Sequence, residues 1–212
     1  MIVLALDTAL AAATAVVARD GVVLAVRCQP MGRGHQEAIA KLTEAAMADA
    51  AIAFRDLGRI GVTVGPGSFT GLRVGLAFAK GLALAWKTPV VGIGSLEALV
   101  TGTSGRVIAA IDAGRGQVYL QSFGGQPFEP MQLAVADAVE LVRGLKPETL
   151  IGSGAPLLAE AAPGVRIDGQ AFASPEALAA LTAGAPAPAR PPQPLYLRAP
   201  DAKTLAERGV VR

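Results

Sequence analysis

The stretch that most constrains this chain is Thr63-Val64-Gly65-Pro66-Gly67-Ser68-Phe69-Thr70-Gly71-Leu72-Arg73-Val74-Gly75-Leu76. Ile60 to Val64 is β-branched and apolar, which predicts a buried strand. Gly65-Pro66-Gly67 then breaks it, because glycine reaches backbone angles closed to other residues and proline cannot extend a ladder. Ser68 or Thr70 is placed to cap the helix that follows by accepting from its free amides. A glycine-rich turn opening a helix can hold an anion on those amides and the helix dipole. No Gly-Lys-Ser/Thr follows, and Arg73 lies a turn into the helix, so the P-loop pattern is absent. An anion site and an unspecialised strand-turn-helix corner both fit the spacing.

The helix predicted from Gly71 to Lys87 carries only Arg73, Lys80 and Lys87 as charges. Small residues recur every fourth position at Gly71, Gly75, Ala79 and Ala83, a bare stripe that lets another backbone approach closely. Val74, Phe78, Leu82 and Trp86 lie on neighbouring rows. A surface helix has one apolar stripe and one polar face, whereas this one is apolar nearly all round. It is either the central buried helix of its domain or a helix with one face on its own sheet and another on a partner. The residues alone favour burial.

Composition supports a chain with a large core: 52% apolar and 17% charged residues over 212 positions, room for one large domain or two small ones. A net charge of +2 and 4% aromatic residues give no basic stripe with stacking rings, so a chain that grips nucleic acid by itself is not expected. The single cysteine, Cys28, excludes an internal disulfide and fits a reducing compartment. No stretch approaches the roughly 20 apolar residues of a membrane span, and Asp7 interrupts the first apolar run. A soluble, cytoplasmic protein without membrane contact is the expectation.

In chain order, Met1 to Leu6 reads as a strand followed by Asp7-Thr8, and Thr14 to Ala18 and Val22 to Val26 as two more around an Asp20-Gly21 hairpin turn. His35 to Ile52 is an amphipathic helix with Ile39, Leu42, Ala46 and Ala50 on one face. His35 is the only histidine; without a second His or Cys to complete a metal site, capping or exposure is the expected role. Pro89 to Ile93 is a strand and Gly94-Ser95 starts a short helix, so the order is β-β-β-α-β-α-β-α with a right-handed parallel crossover. After a polar Thr101–Arg106 joint the pattern restarts. Ile108-Ala109-Ala110-Ile111-Asp112 mirrors Val3-Leu4-Ala5-Leu6-Asp7, the trace a duplicated fold leaves. Gly152-Ser153-Gly154 is a tight turn, Pro175 to Ala183 a helix, and Ala185 to Pro194 a stiff extended linker.

These residues resemble the bacterial TsaB (YeaZ) family over most of the chain. The matches are Leu4-Ala5-Leu6-Asp7-Thr8, the run from Val62 to Arg73, Ala79-Lys80-Gly81-Leu82-Ala83, Gly94-Ser95-Leu96-Glu97-Ala98-Leu99, Ile111-Asp112-Ala113 and Pro194-Leu195-Tyr196-Leu197-Arg198. Gly-Pro-Gly-Ser-Phe-Thr-Gly-Leu-Arg is the specific one. The resemblance implies an α/β, actin-like ATPase fold of two ribonuclease-H-like lobes, mixed sheets flanked by helices. The expected lobes are residues 1–103 and 104–194, with 195–212 packing back on the first. It also implies a part in making N6-threonylcarbamoyladenosine at position 37 of tRNAs that read codons beginning with A.

The resemblance further implies a non-catalytic dimerisation subunit without a metal. The catalytic paralogue, TsaD, carries His-Leu-Glu-Gly-His where this chain has Ser95-Leu96-Glu97-Ala98-Leu99, and Ser95 with Leu99 cannot supply two ring nitrogens. Implied partners are TsaD in a heterodimer, the ATPase TsaE joining the pair, a second copy when isolated, and tRNA indirectly through the complex. Ile39, Gly71, Gly75, Phe78, Ala79, Leu82 and Ala83 are the expected partner face. Asp7, Thr8, Asp112, Gly152 and Gly154 are the candidate nucleotide contacts. Asp7-Thr8-Ala9-Leu10-Ala11 lacks the glycine that lets backbone meet phosphates, so no tightly bound cofactor is expected, with ATP or ADP confined to the complex. The alternative is a small-molecule kinase or ATPase of the actin, Hsp70 and sugar-kinase superfamily; a metallopeptidase fits poorly with a lone histidine.

Overall fold

A computed structural model describes residues 1–32, 34–186 and 188–197. Strands β1 (Ile2–Asp7), β2 (Ala12–Arg19) and β3 (Val22–Pro30) form an antiparallel meander. Asp20 and Gly21 both take positive φ (50° and 85°), the tight hairpin that such a pair favours. Helix α1 (His35–Asp49) leads to β4 (Arg59–Gly65), which pairs parallel with β1. Helix α2 (Phe69–Trp86) then crosses to β5 (Val90–Gly94), parallel to β4, and α3 (Ser95–Val100) ends the first half. The sheet order is β3-β2-β1-β4-β5.

The second half repeats this. Strands β6 (Val107–Gly114), β7 (Gln117–Phe123) and β8 (Phe128–Ala134) form the meander, α4 (Val135–Leu145) follows, and β9 (Thr149–Ile151) and β10 (Arg166–Asp168) add in parallel, giving β10-β9-β6-β7-β8. A 3₁₀ turn over Ala155–Ala161 stands where the first half has α2. Asp7 and Asp112 occupy matching places on the central strands. Two lobes of one topology, each a mixed sheet with helices, make the actin-like ATPase fold.

The last helix, α5 (Pro175–Gly184), packs on the first sheet although it follows the second in the chain. Leu178 and Ala179 bury against Val3, Ala5, Val16 and Ala18, while Leu4, Leu6, Ala15 and Val17 face α1 and α2 on the other side. Burial on both faces is why β1 and β2 read as continuous apolar runs. In exchange, Leu96, Leu99 and Val100 of α3 pack on Val107, Ala109 and Ile111 of the second sheet. Each lobe is thus closed by a helix of the other. Gly61 makes room for α5, since a Cβ there would lie 2.0 Å from Thr182 Oγ1. Arg59 Nη1 donates to the carbonyls of Thr182 (3.2 Å) and Ala183 (2.9 Å), a cation on the last turn of α5 where the free carbonyls and the dipole are negative.

Candidate functional site

The residues singled out in the sequence gather where the lobes meet. A cleft of about 370 Å³ is bounded by Ala9–Ala11, Met31, His35, Ser68 and Phe69 on one side and Ile111–Ala113, Tyr119 and Ser153 on the other. Among the described residues lining it, none is Lys or Arg.

Asp7 ends β1 fully buried. Its Oδ1 accepts from Ala9 N (2.8 Å) and Thr63 Oγ1 (2.7 Å), and Oδ2 has no partner among the described residues. Burial pushes the carboxyl above the usual range, and the bonds from Thr63 and Ala9 oppose that rise without cancelling it. Thr8 is buried too, with its hydroxyl donating to Gly71 O at 2.7 Å. Neither side chain is presented to a ligand in the cleft.

The glycine-rich turn explains why. A Cβ on Gly67 would lie 2.5 Å from Ala9 O, on Gly71 1.8 Å from Thr8 O, and on Gly75 2.4 Å from Thr8 Oγ1. These glycines let the turn and α2 lie against the Asp7–Ala9 corner of their own chain. Ser68 N donates to Ala9 O (2.8 Å), Gly71 N to Ser68 Oγ (3.2 Å) and Leu72 N to Ser68 O (2.9 Å), so of the first three helical amides, those of Phe69, Thr70 and Gly71, the last is taken by the cap. Ser68 is therefore the cap, as one of the two candidates. The glycines of the turn thus serve backbone-on-backbone packing against the Thr8–Ala9 corner.

In the second lobe Asp112 is exposed on the cleft wall, its Oδ1 accepting from Gly114 N at 2.7 Å and its own amide donating to Ser153 Oγ at 3.1 Å. Gly152 and Gly154 face inward: a Cβ on Gly152 would meet Ala110 O at 2.2 Å, and Gly154 N donates to Ala110 O at 3.0 Å. They seat the turn on β6, and Ser153 between them reaches the cleft. Of the five candidate nucleotide contacts, Asp112 alone is exposed at the cleft. Leu10 fills the first-lobe side and packs with Leu96, Leu99, Ile111 and Tyr119. Gly32 and Gly67 also line the cleft, Gly67 lying against Ala9 O of its own chain. His35, expected to cap or to be exposed, is instead 8% exposed at the cleft edge, with Gly34 as the cap residue.

Of the expected partner face, four residues need correction and three keep partial exposure. Ile39, Gly71, Gly75 and Ala79 are buried in the chain's own first lobe, and Phe78, Leu82 and Ala83 are half-buried against the same core. Gly71, Gly75 and Ala79 of the small-residue stripe serve close approach to the chain's own first lobe, whereas Ala83 is half-buried and reaches the surface. The outward stripe of α2 is Phe69, Arg73, Ala77 and Leu84, all exposed, with Leu84 at 85%. These four fall within 80° of one another at 100° per residue. Sequence reasoning missed them because the small residues drew the eye, although their phase opposite Gly75 and Ala79 was readable. Arg198 and the segment beyond it lie outside the described residues.

No helix among the described residues is long and apolar enough to cross a membrane, and no group of three or more His, Cys, Asp or Glu placed to hold a metal ion occurs among them. The model of the tRNA N6-adenosine threonylcarbamoyltransferase family (TsaD) matches residues 26–168. An uncharacterised protein of Mycobacterium tuberculosis is 38% identical over 211 residues, covering 96% of this chain and 95% of the relative. The tRNA threonylcarbamoyladenosine biosynthesis protein TsaB of Escherichia coli is 35% identical over 124 residues, 56% of this chain and 53% of that protein. A Pseudomonas aeruginosa crystal structure, described as an uncharacterised protein similar to the peptidase YeaZ, superposes with a TM-score of 0.76 at 25% identity, covering 93% of this chain and 99% of that one. Full-length similarity, a shared lobe topology and the Gly65–Arg73 motif agree: the chain belongs to the TsaB (YeaZ) family, within the wider group that the threonylcarbamoyltransferase model describes.

Proposed function

We propose that this chain is a non-catalytic dimerisation subunit in the synthesis of N6-threonylcarbamoyladenosine on tRNA, supporting the catalytic paralogue TsaD. The observation that carries this reading is the Asp7–Ala9 corner of the first lobe, packed against α2 and its glycine turn. Asp7 and Thr8 are spent on their own chain, Leu10 occupies the first-lobe wall, and Ser95 and Leu99 are buried where the paralogue has its histidine pair. Asp112 is an exposed carboxylate on the opposite wall. What remains available is surface. Phe69, Ala77 and Leu84 on the outward stripe of α2 are apolar side chains in water, the composition of an interface core.

In this reading α2 meets TsaD, the ATPase TsaE joins the pair, and the same stripe joins two copies when the chain is alone. ATP or ADP enters with the complex, tRNA is reached through it, and the assembly works in the cytoplasm. Pull-down of the organism's TsaD by the purified chain tests the reading. Stoichiometric capture is expected; failure to capture TsaD at micromolar concentrations, with or without TsaE, contradicts it.

A further inference from the structure

Arg73 projects from the outward stripe of α2, and its guanidinium is held on two sides. It stacks over the Phe69 ring at 3.8 Å from the centroid, and its Nε donates to Tyr196 Oη at 3.1 Å. The Tyr196 ring lies 5.1 Å from that of Phe69, so the two aromatics and the guanidinium form one cluster. Tyr196 comes from the far end of the chain. The segment that brings it is tied down at Leu195, whose amide donates to Val64 O at 2.7 Å, and Leu197 packs into the cluster between the lobes. Gly65 and Gly92 leave space for this segment: Cβ atoms there would lie 2.9 Å from Leu195 O and 3.2 Å from Pro192 Cβ.

No carboxylate pairs with Arg73 among the described residues, and its two terminal nitrogens make no hydrogen bond there. An arginine held in one rotamer by stacking has lost its entropy before binding, and its planar fork fits a carboxylate bidentately. With Nε taken by Tyr196, the remaining edge is the end-on one formed by Nη1 and Nη2.

We propose that Arg73 is a preorganised anchor for a carboxylate side chain of the protein that covers the outward stripe of α2, and that Tyr196 is its positioning residue. The inference rests on the partner reading above and deepens it by naming the chemistry the partner presents. A protein carboxylate is favoured over a nucleic-acid phosphate because Arg73 stands among Phe69, Ala77 and Leu84, with Lys80 half-buried. Phosphate-backbone binding draws on several cations together.

The test compares wild type, Arg73→Met, Arg73→Lys and Tyr196→Phe in binding to purified TsaD at low and high salt, with thermal unfolding of each. Arg73→Met keeps the apolar stem while removing the guanidinium, and with it the fork and the stacked cation. It is expected to weaken association about ten-fold or more and to flatten its salt dependence. Arg73→Lys should recover little of the loss, and Tyr196→Phe should weaken binding several-fold. If wild type does not bind TsaD, the partner reading itself fails. If wild type binds and folded Arg73→Met binds equally well, the anchor is overturned while the partner reading stands. Loss of tRNA binding by the isolated chain, with TsaD affinity unchanged, would assign Arg73 to a phosphate and overturn it too. So would an Arg73→Met effect confined to self-association.

Discussion

The hydroxyl of Thr8 donates to the carbonyl of Gly71 at 2.7 Å, joining two motifs 63 residues apart. In an actin-like fold the first of these motifs faces phosphates; here it faces the first turn of α2. Gly67, Gly71 and Gly75 permit the contact, because any side chain at these positions would run into Thr8 or Ala9. This packing turns Thr8 and the face of α2 that carries Gly71 and Gly75 toward each other.

Gly75→Leu should act on stability first. Its Cβ already meets Thr8 Oγ1 and Val62, with no route to solvent, so overpacking of about 3 kcal/mol is expected. That corresponds to a melting temperature lowered by roughly 10 °C in a chain of this size. Calorimetry or circular dichroism checks it; a variant melting like wild type would return the stripe to the surface.

Much of this architecture was legible. The restart after Arg106, the strand ending in Asp7, the Asp20-Gly21 hairpin and the Gly65-Pro66-Gly67 break lie where local patterning put them, while the strand carrying Asp112 runs on to Gly114. The exchange of α3 and α5 between lobes was not, because an apolar helix of six or ten residues looks the same whichever sheet it covers. Nor was the facing of α2. A helix apolar all round offers no polar side to orient it, and the deciding contact, Thr8 with Gly71, is a long-range one. The short β10 and the 3₁₀ turn at Ala155–Ala161 were also missed, being too brief to show a period.

Arg59→Met should loosen α5. It removes the charged donor from the carbonyls of Thr182 and Ala183, at a cost of about 2 kcal/mol. Hydrogen exchange should accelerate over residues 175–184 more than in α4. Uniform acceleration would mean that α5 has no local opening of its own.

Asp7 gives a pH signature. Its folded carboxyl titrates above the unfolded value of 3.8, so the folded state holds the proton more tightly. Between the two values, stability falls as pH rises, and the penalty is full above the folded one. Asp7→Asn removes this titration. Its stability relative to wild type should therefore improve as pH increases from about 3.8, measured by denaturant unfolding across the range. A difference independent of pH would contradict burial as the dominant influence on Asp7.

Leu84→Asp should spare the fold and cost the interface. Leu84 is 85% exposed, so the change in stability should stay within about 0.5 kcal/mol. Association with TsaD should weaken at least ten-fold, through a charge set in an apolar contact. Titration calorimetry of the folded variant decides it, and unchanged affinity would move the interface off this stripe.

The central claim is that the chain supports catalysis by another protein. The most direct measurement is formation of N6-threonylcarbamoyladenosine on tRNA by purified TsaD and TsaE, with their substrates, in the presence and absence of this chain. The expected result is no product from this chain alone, little from TsaD and TsaE without it, and restoration on adding it in a one-to-one ratio with TsaD. Product formed equally fast in its absence, or formed by this chain without TsaD, would contradict the account.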